Sequence, residues 1–493
     1  MRSPLLDARG AHCFSRALIA AIAALAGALA PACGDSSSGD EPTTDDASAG
    51  DTSADDAVDE PLSDVTSDSK DAADATPPPC SGPGPSPDPW STLAHDGRRT
   101  SASNGCIHAD MTEAWRFDGK ADGEKYFGFY NAVADKDGVF VHLPQTAPTV
   151  ARVAAATGKQ TWKYSGPADY DLGNWLTIGL GHVLVDDDGV YLLDATSGKL
   201  KTTSGVDWWG QTAADETRFY VVTTTHGDGP GAFVGAWDVT KGLLWKANQQ
   251  GGCDPALGDT NGALAVNGGV VYFAPRYSVN PKGGGPPDAG APTFPSGLYA
   301  FDAATGTKKW SVPLTPQSSI SVGGGNVYMI EAGPALVARH ESDGAVAWKA
   351  PLTADVFNVG SQPPVIASGR VMIATNDHVL SFDAATGAAA WSTAIARASF
   401  ASNPGTSINF VSCPSAAQPA GAPLSTTLAA ATASDTLIVT GGDAIHVLSL
   451  ATGGEQGKVS VANASNPIIV GDRLYVLAAS STGGAQIVAY QSH

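Results

Sequence analysis

A motif of the form Asp-x-x-Thr-Gly, with Trp three or four residues after the glycine, recurs along the chain and constrains the fold more than any other feature. The clearest copies are Ala300–Trp310 (AFDAATGTKKW) and Ser381–Trp391 (SFDAATGAAAW). Weaker copies end at Trp162, Trp245 and Trp348, and two more lack the Trp. The motif glycines are separated by 40, 44, 64, 38, 43 and 66 residues, and they are Gly158, Gly198, Gly242, Gly306, Gly344, Gly387 and Gly453. A period near 40 indicates a propeller or a solenoid.

Each repeat unit has the pattern of four short strands. A strand pair such as Val266–Phe273 comes first, then a third strand such as Gly297–Asp302, then the Thr-Gly turn and a strand that carries Trp. Alternating apolar residues on both sides of such a turn are typical of a hairpin with a left-handed glycine. Because no long amphipathic helical window follows residue 112, the pattern predicts an all-β fold.

The two ends of the repeat region are complementary. The chain ends with the strands Pro467–Val476 and Gln486–Tyr490 but no further Thr-Gly motif, whereas it begins with an isolated Trp strand, Thr112–Phe117. Pairing this first strand into the last blade closes a ring and removes exposed sheet edges. We therefore predict an eight-bladed β-propeller of four-stranded antiparallel blades over residues 112–493.

The motif Ala-x-Asp-x-x-Thr-Gly-x-x-x-Trp resembles the blade signature of the PQQ-like β-propellers, which include quinoprotein alcohol dehydrogenases and BamB-type outer-membrane assembly lipoproteins. The lead-in Pro89–Thr100 is also similar to the segment that opens such domains, so the resemblance covers about residues 90–493. It implies that the motif Trp packs between neighbouring blades. The residues given this packing role are Trp115, Trp162, Trp245, Trp310, Trp348 and Trp391.

The negative charge of the chain is concentrated before the repeats. The formal net charge is −21, and residues 34–79 contain 14 Asp or Glu against one Lys. This segment has no aromatic residue, so we expect a disordered acidic linker. An acidic chain is a poor candidate for binding nucleic acid, because phosphate recognition needs an excess of Lys and Arg. A basic patch for anionic lipids is equally unsupported.

The N-terminus has the features of an export signal. Arg9 and Arg16 precede the apolar run Ala17–Ala32, which is too short for a membrane span and is followed by Cys33. Leu29–Cys33 resembles a bacterial lipobox, which implies a signal peptide over residues 1–32 and a lipid anchor on Cys33. The alternative is an ordinary secretory signal with Cys33 as a free thiol. Residues 33–79 would then be the linker and residues 80–111 the lead-in of a protein anchored in the cell envelope, in the outer membrane by our prediction.

Export would place the remaining cysteines in an oxidising compartment. Cys80, Cys106, Cys253 and Cys413 allow three pairings, of which we favour Cys80–Cys106 and Cys253–Cys413. No Cys or His residues have ligand spacing, so we predict no metal site.

Strand order also predicts which face of the propeller is functional. Connections between the second and third strands and between blades share one face, and the long insertions 248–261, 275–295 and 393–426 all belong to these classes. Long loops on a rigid scaffold usually carry function, although tolerated insertions are the alternative. The candidate binding residues on this face, each of which also has a structural interpretation, are Trp175, Trp208, Trp209, Asp254, Arg276 and Tyr277.

Three functions are compatible with the sequence. The first is a non-catalytic envelope lipoprotein that uses the propeller as a binding or protein-interaction scaffold, with outer-membrane protein assembly as one option. The second is a PQQ-dependent dehydrogenase, which alone would need PQQ and calcium; the adjacent Cys-Cys pair and the Cys-x-x-Cys-His haem motif of such enzymes do not occur. The third is a surface lipoprotein that binds a small ligand or glycan. We favour the first, and expect a monomer with no cofactor, no catalytic residue, a membrane anchor and envelope or outer-membrane proteins as partners.

Overall fold

The computed structural model describes most of the propeller region. The residues described are 87–92, 94–118, 131–143, 149–166, 175–186, 190–203, 211–223, 233–248, 263–275, 297–352, 363–375, 378–395, 427–441, 444–461, 463–479 and 485–492. Cys33, the acidic linker and the three long insertions lie outside them.

The regular structure of these residues consists of strands and a single 3₁₀ turn, Thr432–Ser434. Two strands precede the blades, β1 (Ala102–Ser103) and β2 (Thr112–Asp118). Blade 1 contains β3 (Ala132–Ala134), β4 (Gly138–Leu143), β5 (Thr149–Ala154) and β6 (Gln160–Ser165). Blade 2 contains β7 (Trp175–Gly179), β8 (His182–Asp186), β9 (Val190–Asp194) and β10 (Leu200–Thr203). Blade 3 contains β11 (Thr212–Ala214), β12 (Phe219–Thr223), β13 (Phe233–Asp238) and β14 (Gly242–Asn248). Blade 4 contains β15 (Ala263–Asn267), β16 (Val270–Ala274), β17 (Gly297–Asp302) and β18 (Lys308–Pro313).

The second half of the ring follows the same plan. Blade 5 contains β19 (Ser321–Gly323), β20 (Asn326–Glu331), β21 (Ala335–His340) and β22 (Val346–Pro351). Blade 6 contains β23 (Val365–Ala367), β24 (Arg370–Ala374), β25 (His378–Asp383) and β26 (Ala389–Ala394). Blade 7 contains β27 (Thr427–Ala431), β28 (Thr436–Gly441), β29 (Ala444–Ser449) and β30 (Glu455–Ser460). The last three strands are β31 (Ser465–Val470), β32 (Arg473–Ala479) and β33 (Ala485–Gln491).

The strands form eight sheets arranged in a ring, each with four antiparallel strands, and β1 adds to the inner edge of blade 7 in parallel with β27. Within each of blades 1 to 7 the strands pair in chain order, and the first strand of every blade contacts the first strand of the next, from β3 to β31 and back to β3. The predicted eight-bladed β-propeller is confirmed. We call the end where the first and third strands finish the turn face, and the opposite end the loop face.

Blade 8 is completed by the N-terminal part of the chain. β2 pairs with β33 in antiparallel register, with Trp115 opposite Ala489 and Phe117 opposite Ile487. β2 thereby takes the outermost position that a fourth strand holds in other blades. The predicted closure of the ring by the first strand is therefore present.

The core lies between neighbouring blades, because the inner strands are apolar on both faces. In β4 all six residues are buried, whereas in the outer strand β6 every residue is exposed or half-buried. Apolar clusters join adjacent blades, as where Tyr220 of blade 3 packs with Phe273 of blade 4. Burial decreases from the inner strands to the outermost strand, and the motif Trp residues lie on the outermost strands.

The Thr-Gly turns are held by the motif aspartate. The Asp302 carboxylate accepts hydrogen bonds from the backbone N–H of Thr305 and from its hydroxyl, both at 2.9 Å, and Gly306 has a φ of +72°. These bonds lower the pKa of Asp302, the hydroxyl having the largest effect. Asp194, Asp238 and Asp383 make the same kind of contacts. The local sequence therefore determines the geometry of the turn.

Among the described residues, no helix is long and apolar enough to span a bilayer.

Candidate functional site

The lead-in segment, residues 88–108, follows the inner edges of the blades at the turn face. One backbone N–H in each of five innermost strands donates to a lead-in carbonyl, at 2.7–2.9 Å: Ile178 to Ser91, Val266 to Gly97, Val322 to Arg98, Ile366 to Thr100 and Ala430 to Ser101. In blade 1, Trp90 and Ala134 exchange two backbone hydrogen bonds, and the N–H of Cys106 donates to Gly471, which follows β31 of blade 8. The lead-in therefore lines the inner edges of the blades at the turn face and satisfies backbone groups that would otherwise need water.

The lead-in adopts an uncommon backbone in order to fit this path. His95, Arg99 and Ser101 have φ values of 80°, 59° and 50°, in the left-handed region that side chains other than glycine rarely adopt. Such conformations persist where the surroundings determine them. Here the surroundings are the edges of the innermost strands, so the segment is an integral part of the propeller.

Arg99 attaches the lead-in to blades 3 and 4. Its side chain has no exposed surface, its Nη2 donates to the Thr212 carbonyl at 3.0 Å, and its Nε donates to the Leu264 carbonyl. Burial lowers its pKa to about 10, an effect that Asp96 partly offsets, so the guanidinium stays charged at neutral pH. A buried cation bonded to two blades strongly disfavours departure of the lead-in from the channel.

A second set of polar contacts holds the beginning of the lead-in. Asp88 accepts a 2.8 Å hydrogen bond from the Ser103 hydroxyl and lies 3.1 Å from Nε2 of His95, whose ring packs against Trp90 at a centroid distance of 5.0 Å. Burial raises the pKa of Asp88, but bonds from His95, Ser103 and Asn104 outweigh it and hold the pKa below its usual value.

The described side chains next to the channel are neutral and bonded to one another. The hydroxyls of Thr177 and Thr212 are 2.7 Å apart, and Gln211 donates to Ser319 at 3.2 Å while accepting from the N–H of Leu264. Within the described parts of the chain, no three His, Cys, Asp or Glu residues lie close enough to share a metal ion.

The six motif Trp residues have one common geometry, which we call the seam contact. Each indole Nε1 donates to the carbonyl of the residue three before the turn glycine of the next blade, at 2.7–3.2 Å; the acceptors are Ala155, Ala195, Ala303, Glu341, Ala384 and Leu450. The indole also lies flat against that glycine, where a Cβ would come within 2.5–2.8 Å of it. The six glycines of these contacts are Gly158, Gly198, Gly306, Gly344, Gly387 and Gly453. Glycine is required there both by its positive φ and by this close approach.

Two seams lack the Trp. In blade 7, Gly457 has the register position of Trp391, and a Cβ on it would come within 2.6 Å of the Ala109 side chain, so the lead-in covers this seam. In blade 2, Thr202 has the Trp position, and the turn glycine of blade 3 that it faces is Gly242.

The remaining candidate residues from the sequence are either buried or outside the described residues. Trp175 begins β7 and is buried, with 9% of its surface exposed, so it is not part of an open surface. The remaining candidates for the loop face lie outside the described residues: Trp208, Trp209, Asp254, Arg276 and Tyr277. Cys106 is disulfide-bonded, but Cys80, Cys253 and Cys413 are outside the described residues, so both pairings stay predictions.

Sequence reasoning missed the pairing of the lead-in with the inner strands of the blades. The resemblance pointed to Pro89–Thr100 as an opening segment but not to its position. A signal was available in Gly97–Arg99, where adjacent arginines precede the first strand in a chain with few basic residues.

Comparison with known proteins agrees with this architecture. Residues 296–493 match a family model described as outer membrane protein assembly factor BamB. The predicted resemblance to the BamB-type and PQQ-like propeller repeats is confirmed. A search of curated proteins found no match.

Solved structures with similar folds include BamB and alcohol dehydrogenases. BamB from Moraxella catarrhalis is 14% identical with a TM-score of 0.52, and the match covers 78% of this chain and 98% of that one. A europium-containing methanol dehydrogenase is 12% identical with a TM-score of 0.59, covering 84% and 99%. The quinohemoprotein alcohol dehydrogenase from Comamonas testosteroni is 13% identical with a TM-score of 0.56, covering 82% and 80%. At these identities the similarity establishes the fold alone.

Proposed function

We propose that the protein is a non-catalytic scaffold of the cell envelope, tethered through Cys33, which binds partner proteins on its propeller as part of outer-membrane protein assembly. The observation that carries this proposal is the path of the lead-in along the inner edges of the blades, with Arg99 fully buried between two blades. The axial region is thereby used for structure, and the outer surfaces of the blades are left for binding. The match of residues 296–493 to the BamB model supports outer-membrane protein assembly as the process in which the protein takes part.

The signal sequence and the acidic linker support the proposed location. A basic n-region, an apolar run and Cys33 form an export signal with a lipidation site, and residues 34–79 give a solvated tether of −13 charge. The loop face, with its long insertions, is a second binding surface under this proposal.

Chemical crosslinking in cell envelopes, followed by mass spectrometry, tests the proposal. The expected products contain outer-membrane barrel proteins or their assembly factors, and they decrease in a Cys33→Ala variant, which also loses palmitate labelling. Crosslinks to unrelated soluble proteins alone, unchanged by Cys33→Ala, would contradict it.

The dehydrogenase alternative is tested with the purified protein. Addition of PQQ and calcium is expected to leave the visible spectrum of PQQ unchanged and to give no dye-linked oxidation of alcohols. A spectrum of bound quinone together with alcohol oxidation would contradict the scaffold proposal and favour the dehydrogenase.

A further inference from the structure

The guanidinium of Arg99 has a second edge that its contacts with blades 3 and 4 do not use. Its Nε and Nη2 donate to the carbonyls of Leu264 and Thr212, and these bonds occupy one edge of the planar group. Its Nη1 is buried and has no hydrogen-bond partner in the described part of the chain. Because the fork of N–H groups is rigid, the N–H bonds of Nη1 point away from these two carbonyls.

The positive charge of Arg99 has no carboxylate bonded to it among the described residues. Burial lowers the pKa of Arg99, and the charge of Asp96 offsets this only in part. The Asp96 carboxylate is itself engaged, since it accepts from Nε of Arg98 at 2.8 Å and from the N–H of Thr100 at 3.0 Å. A buried charge is costly unless it is paired, so this arrangement favours an anion at Nη1.

The surroundings of the guanidinium contain donors rather than competing carboxylates. The innermost strands of the eight blades have no Asp or Glu, and these strands are β3, β7, β11, β15, β19, β23, β27 and β31. A small anion near Arg99 would therefore meet no negatively charged side chain from these strands. The axial region thus differs from the chain as a whole, which has 49 acidic residues against 28 basic ones.

Gln211 lies next to the guanidinium on the inner edge of β15. Its Oε1 accepts from the N–H of Leu264 at 3.2 Å, and the C=O of Leu264 accepts from Arg99. The N–H and C=O of one strand residue point to the same side, so the side chains of Gln211 and Arg99 approach Leu264 from the same side. Nε2 of Gln211 donates to the Ser319 hydroxyl at 3.2 Å, which uses one of its two N–H groups.

The burial of these groups limits the size and charge of the anion. Arg99 has no exposed surface, and Gln211 and Ser319 are 2% and 5% exposed, which excludes a ligand that extends from Nη1 to solvent. A single guanidinium balances one negative charge. A monatomic halide meets both conditions, whereas an organic acid or a phosphate does not.

We propose that Nη1 of Arg99 holds a chloride ion beside Gln211, as a structural part of the propeller. The ion neutralises the buried guanidinium that attaches the lead-in to blades 3 and 4, so its binding stabilises this attachment. The inference goes beyond the scaffold function and does not rest on it. It concerns the folded chain alone, and loss of the envelope crosslinks would leave it unaffected.

Diffraction from crystals of the natural protein grown with bromide in place of chloride tests the site directly. We expect one anomalous difference peak within hydrogen-bond distance of Nη1 of Arg99. Peaks at the surface alone, or an ordered water at Nη1 without a halide, would overturn the proposal. This measurement requires no variant.

Thermal unfolding at constant ionic strength, with chloride replaced stepwise by gluconate, tests the site in solution. Because a ligand of the folded state raises the melting temperature, we expect chloride to give a saturating rise of about 1–3 °C. Constant ionic strength keeps general screening the same throughout the series.

A Gln211→Glu variant supplies a carboxylate beside Arg99 in place of the ion. Both present contacts can persist, because the Leu264 N–H and the Ser319 hydroxyl can each donate to a carboxylate. We expect the melting temperature of this variant to be independent of chloride. Gln160→Glu is the matched control, since it adds the same charge at an exposed position of β6, and it should retain the chloride response. An equal response in Gln211→Glu and the natural protein would contradict the site.

Discussion

The seam between blades 3 and 4 has a motif Trp on its turn glycine, whereas among the described residues Thr202 holds that register position in the seam between blades 2 and 3, yet both seams end on a turn with a left-handed glycine. Gly306 has a φ of +72° and Gly242 a φ of +77°, and each turn aspartate accepts a threonine hydroxyl, Asp302 from Thr305 and Asp238 from Thr240, although the blade 3 turn is one residue shorter. The turn therefore forms from its own sequence whether or not a Trp packs on it. The Trp contributes contact between blades, and this contribution can be separated from the turn.

Blade 3 compensates for the missing indole from inside. Trp237 precedes the turn aspartate at the position that Phe301 and Phe382 hold in blades 4 and 6, and it packs against Leu184 and Leu192 of blade 2. A larger side chain beneath the seam thus replaces part of the apolar volume that is lost at the rim. This keeps the two blades in contact.

Removal of an indole from a filled seam should have the largest effect. Trp348 is 8% exposed, and its ring lies 5.8 Å from that of Tyr328. We expect Trp348→Ala to lower the free energy of unfolding by about 3–5 kcal/mol, through lost burial and the cavity left behind. Thr202→Ala, at the same register position in blade 2, should cost less than about 0.5 kcal/mol. Urea unfolding of the two variants measures the difference, and similar costs would show that the indole does not hold the seam.

Substitution of the turn glycines by Ala separates the cost of a positive φ from the cost of steric contact with a neighbouring indole. Gly306→Ala and Gly242→Ala both place a side chain at positive φ, at a cost of about 1–2 kcal/mol. In Gly306→Ala the new Cβ would also lie 2.5 Å from Cε3 of Trp245, whereas at Gly242 the nearest described atom is 3.7 Å away. We expect Gly306→Ala to be more destabilising by about 1–3 kcal/mol. Thermal unfolding checks the order, and equal melting temperatures would mean that the indole moves aside freely.

Much of this architecture could be predicted from the sequence because the signals are local. The spacing of the Thr-Gly glycines set the blade count, and the isolated Trp115 strand indicated how blade 8 is completed. The packing role of the six Trp residues followed from the family resemblance, and the structure places each of them on a turn glycine.

The path of the lead-in and the contacts of the seam between blades 2 and 3 depend on long-range arrangement, which the spacing of the motifs does not encode. Gly97, Arg98 and Thr100 are adjacent in sequence, yet they bind strands more than 160 residues away in three different blades. Thr202 could be recognised as a lost Trp, but the exposure of Leu200 and Leu243 depends on which blades are neighbours. The loop-face candidates remain predictions, apart from Trp175, which is buried.

The smallest expected effect concerns the titration of the turn aspartates. Bonds from the Thr240 hydroxyl and from the N–H groups of Thr240 and Lys241 lower the pKa of Asp238 to about 2, and the Thr305 hydroxyl and N–H likewise lower that of Asp302. Because the folded pKa lies below the ordinary value near 4, the stabilising contribution of each carboxylate is complete above that value and is lost as pH falls through the folded pKa.

If the turn is independent of the indole, removal of the indole should leave these values unchanged. We expect carboxyl NMR titrations to give a midpoint near pH 2 for Asp238, and to give the same lowered midpoint for Asp302 in the natural protein and in a Trp245→Ala variant. Leu244→Ala, on the same outer strand, controls for a general loosening of blade 3. A rise of the Asp302 midpoint towards 4 in Trp245→Ala alone would show that the indole orders the turn. The order of the Gly242 turn, on which no described motif Trp packs, would then need another explanation.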